Sequence, residues 1–338
     1  MKKQFTIFLL SLVIFYGCGK SKTTDNITPN NSGVTTYVGS STPGLMNGTG
    51  VNTEFNLPSD MVLDAAGNVF LTEQGNNDIR VVGPGGVVLT YAGSGTSGYK
   101  DGPLATAEFN NPQGIVLDGT GNLYVADAGN NVIRVISNSG MVSTYAGNGT
   151  AGYKDGAIAT AEFSSPVGLA IDKSRNIYVT DHGNNMVRKI SSTGTVSTLA
   201  GSGAQGFTDA TGTSAKFNGP SGIAIDGSNN LYVTELANSA VREITPAGTV
   251  STFAGSLSSP VRVAVDPSSN LYVSCGNIIT KITNTGKAST LAGNGTPGFL
   301  DATLLTSEFD NPMGLISNAA GAVIVADQGN NRIRLITP

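Results

Sequence analysis

Apolar residues in this chain fall into short runs, four to a unit, with turn residues between them. From Pro112 to Gly147 the runs are Gly114–Leu117, Leu123–Ala126, Val132–Ile136 and Val142–Ala146. They are separated by Asp118-Gly119-Thr120-Gly121-Asn122, Ala128-Gly129-Asn130-Asn131 and Asn138-Ser139-Gly140. Short runs enriched in β-branched and aromatic residues, punctuated by Gly and Asn, predict strands joined by tight turns. Within a run both parities are apolar, as in Leu123-Tyr124-Val125-Ala126. Each sheet is therefore expected to be buried on both faces, as stacked blades are and as a sandwich with one wet face is not.

The unit recurs. Copies begin at Pro58, Pro112, Pro166, Pro220, Pro260 and Pro312, spaced 54, 54, 54, 40 and 52 residues apart. A fixed internal period marks a repeat architecture. The last copy stops after its third run, Arg332 to Ile336, and the missing fourth run is found at the other end of the chain, as Gly33-Val34-Thr35-Thr36-Tyr37-Val38-Gly39. An N-terminal strand completing the last unit closes the ring and removes its open edges. The expected fold is all-β, a six-bladed β-propeller of four-stranded blades over residues 33–338.

The elements P-x-G-[IL]-x-x-D, G-N-[LI]-Y-V-[AT]-D-x-G-N-N and [IV]-R-x-[IV] resemble NHL repeats. The resemblance implies a six-bladed propeller used as an interaction platform, with distantly similar propellers acting as lactonases or lyases that hold a metal in the central channel. It implies no particular ligand.

Composition narrows the partners. Only 12% of residues are charged and the net charge is −4. That balance argues against nucleic acid, which draws a basic footprint.

The N-terminus reads as a leader. Lys2 and Lys3 precede an apolar run from Phe5 to Tyr16, too short to span a bilayer as a helix. The following Gly17-Cys18 resembles a bacterial lipoprotein cleavage site, with Phe15 where Leu is usual. On that reading residues 1–17 are a signal peptide and Cys18 is lipidated. Polar residues 18–32 are then a flexible tether, and the mature chain has 17 basic against 23 acidic residues, a net charge of −6. Cys275 is the one other cysteine, so the fold is expected to rest on packing rather than on disulfides.

Two kinds of position compete as functional candidates. Glu73, Asp127, Asp181, Glu235 and Asp327 end the second run of their units, and Arg80, Arg134, Arg188, Arg242 and Arg334 lie in the third. Groups needed in every blade are expected to build blades, the acids bonding turn amides and pairing with the arginines. As the alternative, the five acids form an oxygen-ligand set for calcium at the channel mouth. A zinc site needs more histidines than the single His182.

The second kind breaks the pattern. Arg262 replaces the usual Gly, Cys275-Gly276-Asn277 stands where Asp-x-Gly-Asn stands elsewhere, and Glu235 is followed by Leu236-Ala237-Asn238-Ser239 without the glycine turn. Cys275 is expected to fill space as a small apolar side chain. Five connections between units run 19 residues from Gly to Pro, whereas Gly255 to Pro260 lacks the insert. The inserts carry an aromatic at Tyr99, Tyr153, Phe207 or Phe299 and a second at Phe55, Phe109, Phe163, Phe217 or Phe309. Apolar anchors at fixed spacing predict ordered loops; the geometry usual in the family this chain resembles implies that they crowd one face and wall a mouth open at one flank. Arg262, Glu235, Asn277, His182, Tyr99 and Tyr153 are the candidate binding residues.

These readings favour a monomeric, lipid-anchored, extracytoplasmic protein of the bacterial envelope. Its loop-rich face would engage a protein, peptide or glycan, without a cofactor. A metal-dependent propeller hydrolase or lactonase is the alternative.

Overall fold

The computed structural model describes residues 32–318 and 321–338. Within it six antiparallel sheets form a closed ring. Blade 2 is representative: its four strands run Pro112–Leu117, Leu123–Asp127, Val132–Ile136 and Met141–Ala146, each paired with the next. The first strands of successive blades pack beside one another around the centre, and the fourth strands lie outermost. Blade 6 consists of Pro312–Ser317, Val323–Asp327 and Arg332–Thr337, completed by Gly33–Val38. Gly33 pairs with Thr337 and Val34 with Ile336, so the predicted closure is the observed one.

Packing follows from the double parity of the strands. Six apolar clusters are present, each built from two neighbouring blades; one joins Phe163, Leu169 and Val179 of blade 3 and its preceding insert to Ala126, Ile133 and Ala146 of blade 2. All five residues of Leu123–Asp127 are buried, whereas Met141–Ala146 alternates exposed and buried at the rim. At the centre, glycine lets the first strands approach. A Cβ on Gly114 would stand 2.5 Å from the Val167 carbonyl oxygen, and one on Gly168 2.4 Å from that of Ser221. Hydroxyls then stitch blade to blade, Thr72 donating to the Gln113 carbonyl and Thr234 to that of Val261.

The turns at the two ends are built differently. At one end Asp118 Oδ1 accepts the amides of Thr120 and Asn122, an arrangement repeated at Asp64, Asp172, Asp226 and Asp266. At the other end Ala128–Asn130 makes one 3-10 turn and Asn131 takes a left-handed conformation, φ 55°, which Asn tolerates. The 19-residue inserts lie at this second end, because the connection into a first strand and the turn after a second strand share it.

The inserts depart from expectation in their course. Rather than only crowding the mouth, each runs to the rim. Gly102–Pro103 pairs with Met141–Val142 as a short fifth strand outside blade 2, and Gly48–Thr49 and Gly156–Ala157 do the same for blades 1 and 3. Single bridges, Thr211 to Thr249 and Ala302 to Val34, mark the same place on blades 4 and 6. The physical reason is the unpaired backbone of an outermost strand, which an insert satisfies.

Candidate functional site

Each insert is held by one buried acid and one buried arginine. The backbone amides of Asn56, Asn110, Ser164, Asn218 and Asp310 donate to Glu73, Asp127, Asp181, Glu235 and Asp327 at 2.6–2.9 Å. Arg80, Arg134, Arg188, Arg242 and Arg334 donate to the same five carboxylates at 2.6–2.8 Å. Every one of these ten side chains is fully buried. Each arginine also donates to an insert carbonyl, Arg188 to Glu162 at 3.0 Å and to Lys154 at 3.2 Å. The second nitrogen of Arg134, Arg188, Arg242 and Arg334 meets a partly exposed insert acid, Asp101, Asp155, Asp209 and Asp301 in turn, and that of Arg80 donates to Asn47 Oδ1.

Aromatic rings complete the anchor. The fully buried Phe55, Phe109, Phe163, Phe217 and Phe309 lie 5.1–5.4 Å from their guanidinium carbons. Tyr99, Phe207 and Phe299 cover Arg134, Arg242 and Arg334 from outside at 4.6–5.2 Å. The guanidinium is thus sandwiched between a buried and an exposed ring. Burial raises the pKa of all five acids, and the hydrogen bonds and charge of each arginine work against that rise.

The five acids therefore do not meet at the channel mouth as an oxygen-ligand set. Each is spent inside its own blade, because an arginine and an insert amide occupy its oxygens. Among the described residues no group of three or more His, Cys, Asp or Glu is placed to hold a metal ion. Glu235 belongs to this class and offers no surface for binding.

The remaining candidates scatter. Asn277 accepts the Asn311 amide at 3.1 Å, a blade-to-blade tie that Asn77, Asn131, Asn185 and Asn331 also make. The exposed His182 points Nδ1 at the Pro220 carbonyl, 3.1 Å away, and lines a cleft of ≈ 340 Å³ with Gln205, Asn218 and Leu236. Tyr153 is 66% exposed and borders a second cleft, ≈ 320 Å³, with Asn184 and Met186. The Tyr99 hydroxyl is 2.7 Å from Thr144 on the outermost strand, which puts it at the rim. Cys275 is buried, and burial pushes its thiol up to about 11. Cys18 lies outside the described residues.

Arg262 alone among these reaches the channel. Only 2% exposed, it leaves the first strand of blade 5, Pro260–Val265, and crosses to three other blades. It donates to Gln113 Oε1 at 2.8 Å, Ser59 Oγ at 3.2 Å and Ser221 Oγ at 3.4 Å. Gln74 joins the same cluster, its Nε2 donating to Ser59 and Gln113. The opposing charge is Asp60 on blade 1, which does not touch the guanidinium but lowers the cost of burying it. Burial lowers the Arg262 pKa and raises that of Asp60, and each charge partly offsets the other's shift. This arrangement ties four blades across the channel.

Asp60 was legible and is absent from the sequence candidates. It occupies the same place after the leading proline as Arg262, where Gly114, Gly168, Gly222 and Gly314 stand in the other blades. Two departures from glycine in one column carry opposite charge and meet in one channel.

Comparison with known proteins agrees with the repeat. The NHL repeat model matches residues 109–136 and 163–190. The chain carries NHL repeats. In an alignment 284 residues long that covers 74% of this chain, it is 28% identical to Protein SUPPRESSOR OF QUENCHING 1, chloroplastic, of Arabidopsis thaliana, of which it spans only 27%. Among solved structures it is similar to an auxiliary nutrient binding protein from Bacteroides thetaiotaomicron, with TM-score 0.68, 14% identity, and coverage of 91% of this chain and 76% of that one. It is also similar to a gluconolactonase from Xanthomonas campestris, with TM-score 0.61, 14% identity, and coverage of 84% and 87%. At these identities the likeness shows the propeller fold and nothing of its chemistry.

Proposed function

We propose that this NHL-repeat chain is a binding or scaffold protein that engages a protein, peptide or glycan through its insert-bearing face. One observation carries the reading. Among the described residues, ten of the fourteen large apolar side chains left exposed belong to the inserts: Leu45, Met46, Val51, Leu57, Tyr99, Tyr153, Phe207, Phe299, Leu300 and Leu305. Exposed apolar groups on loops that buried ion pairs hold still suit a surface built to bind. A propeller of the same fold named for nutrient binding is compatible with that role. The hydrolase alternative gains nothing from the five acids, whose oxygens are committed to arginines and insert amides.

The same proposal places the protein at the bacterial envelope, extracytoplasmic and held through lipid on Cys18. The Lys2–Tyr16 leader and the Gly17-Cys18 junction support it. Among the described residues no helix is long and apolar enough to cross a membrane.

The test uses the full chain as bait in an envelope extract, compared with Tyr99→Ala/Tyr153→Ala/Phe207→Ala/Phe299→Ala. Loss of a specific captured species, with circular dichroism unchanged, is the expected result. Retention of every species by the quadruple variant would refute the assignment to this face. For the anchor, Cys18→Ala is expected to move the chain from the membrane to the soluble fraction.

A further inference from the structure

The rim of blade 5 differs from the other five rims. Its sheet holds only Pro260–Val265, Leu271–Cys275, Ile278–Ile282 and Ala288–Ala292. Among the described residues, nothing pairs with the outer side of Ala288–Ala292, whereas an insert covers the corresponding strand of every other blade.

The covered rims show what a cover must look like. On blades 2, 3, 4 and 6 an insert aspartate accepts the outward amide of a threonine in the fourth strand. Asp101 takes Thr144, Asp155 takes Thr198, Asp209 takes Thr252 and Asp301 takes Thr36, all at 3.0–3.1 Å. The same threonine exists on blade 5, as the exposed Thr290. Three residues beyond the aspartate, Leu104, Ile158 and Leu304 join the apolar clusters that hold Val142, Val196 and Val34. That valine is buried in five blades. Blade 5 has instead the smaller Ala288, which is exposed.

Charge fits the same cover. Residues 278–292, the two outer strands of blade 5 and the turn between them, carry Lys281 and Lys287 and no acid, in a chain of net charge −4. An aspartate arriving at Thr290 meets no opposing carboxylate on those strands, and the two lysines leave their net charge positive.

We propose that the outer edge of Ala288–Ala292 docks an extended segment of a partner protein bearing Asp-x-x-Leu or Asp-x-x-Ile, added as a fifth strand where this chain lacks an insert. Backbone pairing supplies the affinity and the aspartate and aliphatic side chains set the register. The occupant is a partner and not residues 19–31 of this chain, which contain neither Asp-x-x-Leu nor Asp-x-x-Ile. The site lies on the rim and is independent of what the insert-bearing face binds.

A fluorescent peptide with the sequence of residues 99–106, Tyr-Lys-Asp-Gly-Pro-Leu-Ala-Thr, tests this by anisotropy against the full chain. Saturable one-to-one binding is expected. Replacing its Asp by Asn should weaken it roughly tenfold, the loss of a charge-assisted hydrogen bond. Lys287→Glu and Ala288→Lys, both at exposed sites where the fold is not at stake, should each weaken binding by a similar factor. Absence of saturable binding would mean that the lysines seal this edge against strands and would overturn the proposal. Binding indifferent to all three changes would overturn it too, as would binding seen only after residues 19–31 are deleted.

Discussion

Asp78 offers the sharpest test of the electrostatics. It opens the third strand of blade 1, Asp78–Val82, and is fully buried, with neither carboxylate oxygen hydrogen-bonded. The other blades place Val132, Met186, Ala240, Ile278 and Arg332 there. Burial, and next the negative charge of Glu73, push the Asp78 carboxyl up to about 8. At neutral pH it therefore carries a proton, and the neighbouring Glu73 carboxylate can accept it. A carboxyl whose pKa is higher folded than unfolded favours the fold at low pH, and that contribution is lost as pH rises. Against an unfolded value near 3.9, the cost at pH 7 relative to acid is on the order of 4 kcal/mol, an upper bound because the neighbouring Glu73 carboxyl is also raised by burial and shares the proton uptake.

Asp78→Val removes this penalty and installs the side chain blade 2 uses in the same place. The variant is expected to exceed the wild type by roughly 2–4 kcal/mol at pH 8, or about 4–8 °C in melting temperature for a domain of this size. The gap should shrink steadily toward pH 4. Urea melts at four pH values between 4 and 8 would show it. A variant less stable than wild type at pH 8, or a difference that does not change with pH, would refute the reasoning.

Three further outcomes follow from the anchors. Arg188→Met leaves the Asp181 carboxylate buried without its cation, at a cost of about 3–5 kcal/mol, and should expose Lys154 to trypsin; Asp181→Asn in the same chain should recover part of the stability. Arg262→Met removes the charge that offsets burial of Asp60, so its stability deficit against wild type in urea melts should grow as pH rises, and Asp60→Asn should erase that pH dependence. Grafting the blade 2 insert, residues 93–112, between blades 4 and 5 should raise the melting temperature, and raise it further when Cys275→Asp and Thr280→Arg are made with it.

Much of this molecule could be read before its coordinates. The period, the double parity of Leu123–Ala126 and the split last blade specify a closed ring of six blades, because a strand with two apolar faces has few other places to go. The pairing of acids with arginines was legible as a requirement repeated in every full blade. The course of the inserts was not, since a 19-residue spacing states length and order but not direction. That the inserts turn outward depends on backbone groups of the outermost strands, which have no sequence signature of their own. Asp60 was legible by one route alone: comparison down the glycine column, with Arg262 as its counterpart, makes it stand out.

The same comparison links two features that look separate along the chain. The junction without an insert, Gly255 to Pro260, leads into blade 5, and blade 5 has Cys275 and Thr280 where the other blades have the acid and the arginine. The structure supplies the cause. The acid accepts an insert amide and the arginine donates to insert carbonyls, so without an insert both would be buried charges with most of their partners gone. Thr280 and Cys275 are the neutral, compact residues such a position tolerates, and Thr280 is close enough for its hydroxyl to hydrogen-bond the thiol. Loss of the insert, loss of the ion pair and exposure of Ala288 and Thr290 are then one structural event. Blade 5 is internally consistent without its cover, and among the described residues its rim is the one whose fourth strand no insert pairs with.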